Sequence, residues 1–141
     1  MKLFSVITQE GSLVQVESED PPIGRQIFRV VRSGGRASVT LTFYRKAQLW
    51  VRSETGAHSG KDDGSTQANH TLSVTISDSA GTTSRQLDKS ATDTSFRDWN
   101  KVCSSLLDVE PGCEYQIIGV QWNVGATANG TDIVAELRSL D

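Results

Sequence analysis

Apolar and polar residues alternate one for one along much of this chain. Ala37, Val39, Leu41 and Phe43 are interleaved with Ser38, Thr40 and Thr42. Ala47, Leu49 and Val51 alternate with Gln48, Trp50 and Arg52, and Leu72, Val74 and Ile76 with Ser73 and Thr75. A period of two puts each apolar set on one face of a β-strand and each polar set on the other, so these stretches predict half-buried strands. Helical periodicity, a cap and strong helix formers never coincide over a useful length, and at most a short helical turn is predicted near "SFRDWN", Ser95 to Asn100.

Turn signals fall at Pro21-Pro22, Ser33-Gly34-Gly35, Arg45-Lys46, Asp78 to Gly81, Pro111-Gly112 and Ala128 to Gly130. They divide the chain into about ten strands, which predicts an all-β sandwich or closed barrel, with residues 1–141 forming a single domain. The polar stretch from Gly56 to His70 reads as a long surface loop. Near the end, Tyr115 and Ile117 set one alternation while Ile118, Val120, Trp122 and Val124 set the opposite one. Such a phase change predicts a β-bulge beside Gly119, and it places Trp122 in the core with Val120 and Val124. Ile133, Ala135 and Leu137 then form a terminal strand expected to return, pair and seal the sandwich.

Composition narrows the function classes. With no apolar run near the roughly 18 residues of a membrane span, membrane insertion is not expected. The opening "MKLFSVITQEGS" lacks the apolar core and cleavage site of a secretory signal, so synthesis is expected in the cytoplasm, with any release by another route. A net charge of −3 argues against nucleic acid, which demands a dense basic footprint. Between Ile23 and Ser53, however, stand Arg25, Arg29, Arg32, Arg36, Arg45, Lys46 and Arg52, with no acidic residue. They form either a cationic patch for an anionic partner or solvated arginines paired with acids such as Glu17, Glu19 and Asp20; the second reading is the simpler. Cys103 and Cys113 would lie out of register on two strands joined by the Pro111-Gly112 turn, so two free thiols are expected.

The catalytic inventory is thin. Only His58 and His70 are residue types that could serve as near-neutral bases, no nucleophile-elbow or zinc-protease pattern occurs, and neither an enzyme nor a cofactor is expected. Asp62-Asp63-Gly64 lacks the spaced acids of a calcium loop, so no metal is expected. Binding a sugar needs something different: an aromatic plane for its apolar face and a few fixed hydrogen-bonding groups for its hydroxyls. Tyr44, Trp50, Arg97 and Trp99 have that chemistry. Trp50 is out of phase with Leu49 and Val51 and should face away from their core, as a ligand or subunit contact or within a second buried face. Trp99, in a polar stretch beside Arg97 and Asp98, is either a ligand contact or structural.

The segments "VTLTFYRKAQLWVRS" (Val39 to Ser53) and "SSLLDVEPGCEYQIIGVQW" (Ser104 to Trp122) resemble strand pairs of the C1q and tumour-necrosis-factor-like jelly rolls. Within that superfamily, "GVQW" (Gly119 to Trp122) and "TSFR" (Thr94 to Arg97) are similar to motifs of the TNF-like N-terminal sugar-binding domain of a Burkholderia soluble lectin. The resemblance implies a jelly-roll β-sandwich of about ten strands, a homotrimer, and a glycan ligand held by Thr94, Ser95, Arg97 and Trp99, with Trp50 and Tyr44 as further candidates. A second sugar-contacting Arg of that domain has no counterpart in "NVGATANG", a departure that leaves the choice of sugar open. The competing class is a structural subunit of a phage, spore-surface or injection-type assembly.

Overall fold

The structure is a computed structural model that describes residues 2–16, 20–58, 67–91, 98–124 and 127–140. Ten strands follow in order: β1 (Phe4–Glu10), β2 (Ser12–Val16), β3 (Gln26–Arg32), β4 (Arg36–Phe43), β5 (Ala47–His58), β6 (Gln67–Asp78), β7 (Gly81–Ala91), β8 (Asp98–Val109), β9 (Glu114–Val124) and β10 (Thr127–Ser139). They form two five-stranded antiparallel sheets, β1-β4-β9-β6-β7 and β2-β3-β10-β5-β8. The architecture is an all-β jelly-roll sandwich, as the alternation predicts, with no helix among the described residues.

The alternating apolar residues of β4, β5 and β6 all point between the sheets. Val39, Leu41, Leu49, Val51, Leu72 and Val74 are fully buried there, joined by Phe28, Leu107, Ile117, Ile133 and Leu137. Each such side chain removed from water contributes about 1.5–3 kcal/mol, which is why the phase of a strand is fixed once one face is buried. Phe43 centres one end of the core, its ring 6.2 Å from that of Phe4 and 5.7 Å, edge-on, from that of Tyr115. Chain direction changes sheets at Gly11 between β1 and β2. Its φ of +122° is left-handed, and a Cβ there would lie 2.8 Å from the carbonyl oxygen of Val31. Only glycine satisfies both conditions.

Several sequence expectations are corrected. β9 pairs in unbroken register with β4 and with β6, so there is no bulge at Gly119. Its inward row is Tyr115, Ile117, Gly119 and Gln121, and the apolar residues Ile118, Val120 and Trp122 lie on the outer face. Gly119 is inward because the two sheets approach closely at that point. A Cβ there would collide with Ser53 Oγ and come within 3.1 Å of Thr131 Cγ2, both on the opposite sheet. Trp122 is accordingly 52% exposed rather than in the core.

Nor do β9 and β10 pair with each other. β9 lies between β4 and β6, and β10 lies between β3 and β5 in the other sheet, because jelly-roll connections cross from sheet to sheet. The Pro111-Gly112 turn does the same between β8 and β9, so it is not a hairpin; Cys103 and Cys113 are both free. Ala128 to Gly130 is an irregular part of β10 and not a turn, its register with β5 shifting between Ala128 and Gly130. Gly56 to His58 belong to β5 and Gln67 to His70 to β6; the rest of the expected loop, including Asp62, Asp63 and Gly64, lies outside the described residues. Of "SFRDWN", Asp98 to Asn100 are strand and not helix, because they pair with His58 to Gly56 on β5; Ser95, Phe96 and Arg97 lie outside the described residues.

Arginines of the basic stretch are mostly paired. Arg29 chelates Asp132, Arg45 binds Asp20, Arg52 binds Glu54, and Arg32 and Arg36 share Glu10. Of the three acids expected as partners, Asp20 serves and Glu17 and Glu19 lie outside the described residues; Glu10, Glu54 and Asp132 supply the others.

Candidate functional site

The site residues read from the sequence fall in separate places. Trp50 lies on the outer face of the second sheet, half-buried, with the Arg138 guanidinium 5.1 Å above its ring and Leu106 and Glu136 as cross-strand neighbours. Tyr44 sits between β4 and β5, 48% exposed, its hydroxyl 2.9 Å from Ser5 Oγ and its ring 5.6 Å from Lys2 Nζ. Trp99 pairs through its backbone with Ala57, seven residues along β5 from Trp50, a separation of about 23 Å at strand rise. The backbones of Trp50 and Trp99 thus stand on separate parts of the second sheet. Thr94, Ser95 and Arg97 lie outside the described residues.

What the fold does assemble is the outer face of the first sheet. Because side chains of paired residues share a face, the registers generate polar rows across it. One row is Thr8, Thr40, Gln116, Thr75 and Ser84, crossing all five strands. The next is Ser5, Thr42, Glu114, Ser77 and Thr82. Hydroxyl pairs tie β6 to β7, Thr75 to Ser84 at 2.9 Å and Ser77 to Thr82 at 3.1 Å. The face is hollowed into a groove of about 260 Å³ between Ile7 and Thr8 on one side and Thr75 and Ser77 on the other, floored by Thr40, Glu114 and Gln116.

From Gln116 the outer residues of β9 continue through Ile118 and Val120 to Trp122. Trp122 stands on this row about 20 Å from Gln116, six residues at strand rise. Its cross-strand neighbour is Asn69, 4% exposed, whose Nδ2 has no hydrogen-bond acceptor. Further along the face, in the row of Ser38 and Ile118, Glu10 accepts from Arg32 Nη1 at 2.8 Å and Arg36 Nε at 2.7 Å. The Arg36 hydrogen bond is the main reason the Glu10 carboxyl is held below the usual range, despite some desolvation. Asn69 pairs in turn with Ala91, where β7 ends. The backbone that leads to Thr94, Ser95 and Arg97 thus leaves the sheet two strand spacings, about 10 Å, from Trp122.

A larger cleft, about 520 Å³, opens at the opposite end between the sheets. Lys46, Gln48, Asp78, Asp108 and Glu110 rim it, over Ile76, Val109 and Tyr115. Tyr115 is buried, its hydroxyl accepts the Glu110 N–H at 2.9 Å, and burial pushes that hydroxyl up to about 12. With its tyrosine packed edge-on into the core, the cleft offers no exposed aromatic plane to a sugar ring. His70 Nδ1 lies 3.1 Å from Val120 O and Nε2 3.2 Å from Ser53 O, so both ring nitrogens face backbone carbonyls, and His58 stands at the far end of β5. Among the described residues no group of three acids, histidines or cysteines is placed to hold a metal.

Trp122 and its polar surroundings are what sequence reasoning missed. The available signal was the row Tyr115, Ile117, Gly119 and Gln121: carried through without a phase change, it turns Trp122 outward.

No protein-family model matches the chain, and no curated protein does. By structure it is similar to a Clostridium thermocellum endo-1,4-β-D-xylanase 10B fragment with CBM22-1 and GH10 modules, solved with xylohexaose, at 9% identity and TM-score 0.46. That match covers 94% of this chain and 25% of the other, so the chain spans about a quarter of that enzyme fragment. It is also similar to the CBM22-1 xylan-binding domain of Paenibacillus barcinonensis Xyn10C, at 10% identity and TM-score 0.42 over 98% of this chain and 86% of that one. A third similar structure is Eiger TNF from S. frugiperda, at 10% identity and TM-score 0.40 over 73% and 67% of the two chains. At such identities the likeness concerns the fold alone.

Proposed function

We propose that this chain is a non-catalytic carbohydrate-binding module and that its glycan lies along the outer face of the first sheet, from the groove at Gln116 to Trp122. One observation carries the reading: an exposed tryptophan stands on an outward row of β9 that is flanked on both sides by hydroxyl-bearing strands. A sugar presents an apolar face to the indole and hydroxyls to Thr40, Thr71, Ser73 and Thr75, so the chemistry of the face matches that of the ligand. A shallow site buries little area, and affinity per site in the millimolar to micromolar range is expected, raised by avidity in an oligomer.

A glycan array probed with the intact chain tests this. Trp122→Ala should weaken any binding about 10-fold, equivalent to roughly 1.4 kcal/mol, without altering the far-ultraviolet spectrum. The site at Thr94, Ser95, Arg97 and Trp99 implied by the lectin resemblance is the rival assignment, and Arg97→Ala is its test. Loss with Arg97→Ala alone would move the site; binding indifferent to both changes would refute both site assignments, and no bound glycan would refute the carbohydrate reading and favour a structural subunit.

For assembly we propose a homotrimer closed through the second sheet. Trp50 and Leu106, the latter 55% exposed, are cross-strand neighbours on its outer face, and Val102, 42% exposed, lies four residues along β8; exposed apolar groups of this kind are what subunit contacts cover.

A further inference from the structure

We infer that the saccharide taken at Trp122 is an acidic one, bearing uronate carboxylates; the inference rests on the carbohydrate reading of this face. Around Trp122 the sheet supplies hydrogen-bond donors and positive charge, where the groove further along β9 supplies mixed hydroxyls. One cross-strand row makes the arrangement: Arg36, Val120, Thr71 and Lys89 are successive partners on β4, β9, β6 and β7. Two cationic residues therefore flank the apolar strip of β9, their backbones three strand spacings, about 14 Å, apart.

Acids among the described residues on the same part of the face do not cancel them. Glu10 is shared between Arg32 and Arg36, so that trio keeps one net positive charge. Arg36 is bound to Glu10 through Nε, and its two terminal nitrogens make no hydrogen bond to a described residue. Asp88, next to Lys89, is turned to the sandwich edge, where its Oδ2 accepts the Ser104 N–H at 2.9 Å. Lys89 itself is exposed and has no ion pair among the described residues.

A neutral sugar hydroxyl can accept from these groups, but its own O–H finds no acceptor on an arginine or a lysine. A carboxylate accepts only, matches the planar fork of an arginine, and is attracted from both flanks. The flanking charges are exposed, so the preference they confer is sensitive to salt.

The test compares an α-1,4-linked oligogalacturonate with its methyl ester, which keeps the same ring backbone without charge, by titration calorimetry on the full chain. The acid should bind about 10-fold tighter than the ester at low ionic strength, and the advantage should shrink as salt rises. Lys89→Glu and Arg36→Gln should each reduce the acid's advantage and leave ester binding unchanged; because Arg36 also holds Glu10, the exposed Lys89→Glu is the cleaner variant. An ester bound as tightly as the acid, or an advantage that survives both variants, overturns this inference and leaves the carbohydrate reading standing. A sulfated neutral oligosaccharide preferred over the uronate overturns the choice of carboxylate. Failure to bind any saccharide, acidic or neutral, overturns both readings together.

Discussion

Replacing Gly119 by alanine adds one methyl group at the tightest point between the two sheets. Its Cβ would collide with Ser53 Oγ and lie 3.1 Å from Thr131 Cγ2 and 3.3 Å from Ser53 Cβ. All three atoms sit on strands of the opposite sheet, so neither β5 nor β10 can yield without moving its neighbours. Overpacking of this kind costs about 1–3 kcal/mol. Part is recovered because alanine suits a strand better than glycine by about 0.5–1 kcal/mol. A net loss of about 1–2 kcal/mol follows, which for a chain of 141 residues lowers the melting temperature by about 4–8 °C. Calorimetry or urea denaturation reads this directly. Ser53 makes the cause separable. Its Oγ is buried and has no hydrogen-bond partner, so Ser53→Ala alone should change stability by less than about 0.5 kcal/mol. In that background Gly119→Ala loses its worst contact, and a coupling of about 1 kcal/mol should appear in the double-mutant cycle. A Gly119→Ala variant as stable as the parent, or one whose cost is unchanged in the Ser53→Ala background, would refute the close-approach account of this glycine.

Two further outcomes are expected. Burial lowers the pKa of His70 from its ordinary value of 6.5, although its two carbonyl partners and Asp88 oppose the shift; the unfolded chain therefore takes up this proton first, so stability should be full above about pH 6.5 and decline as pH falls below it. Urea midpoints measured from about pH 7.5 to pH 5.5 should show that decline, and His70→Gln should remove it; an unchanged slope would mean that another group is responsible. Leu106→Glu, placed opposite Trp50 on the second sheet, should convert the proposed trimer to single chains in sedimentation, whereas a parent protein already sedimenting at 15.3 kDa would rule the trimer out.

The strands with one apolar and one polar face were legible in the sequence. In β4, β5 and β6 the buried apolar residues are the ones that alternation selects, because a strand with one wet face has only one stable phase. β9 was not legible in this way. As a central strand it carries apolar residues on both faces, Ile117 inward and Ile118 and Val120 outward, so its pattern admits two phases. The choice between them depends on Gly119 fitting against Ser53 and Thr131, which are remote in sequence. Mistaking that phase sent Trp122 into the core. The error reached no other strand, because each of the others fixes its phase through its own buried face.

The candidate site was hidden for a related reason. Outward hydroxyls at Thr40 and Thr42 and at Ser73 and Thr75 follow from the same alternation, but a binding face is made by neighbours across strands, and those are set by topology. Thr8, Thr40, Gln116, Thr75 and Ser84 form one row only because β9 is inserted between β4 and β6, which the order of strands along the chain does not announce. Arg36 and Lys89 come to flank Val120 by the same insertion. The basic run of which Arg36 is part therefore misleads when taken as a unit: most of it is consumed in ion pairs on separate strands, and the charge that matters for a ligand is the surplus left at Glu10 together with a lysine distant in sequence. Neutralising a residue elsewhere in that run, such as Arg29, should leave acidic-saccharide binding unaltered, since its guanidinium is committed to Asp132 on the other sheet.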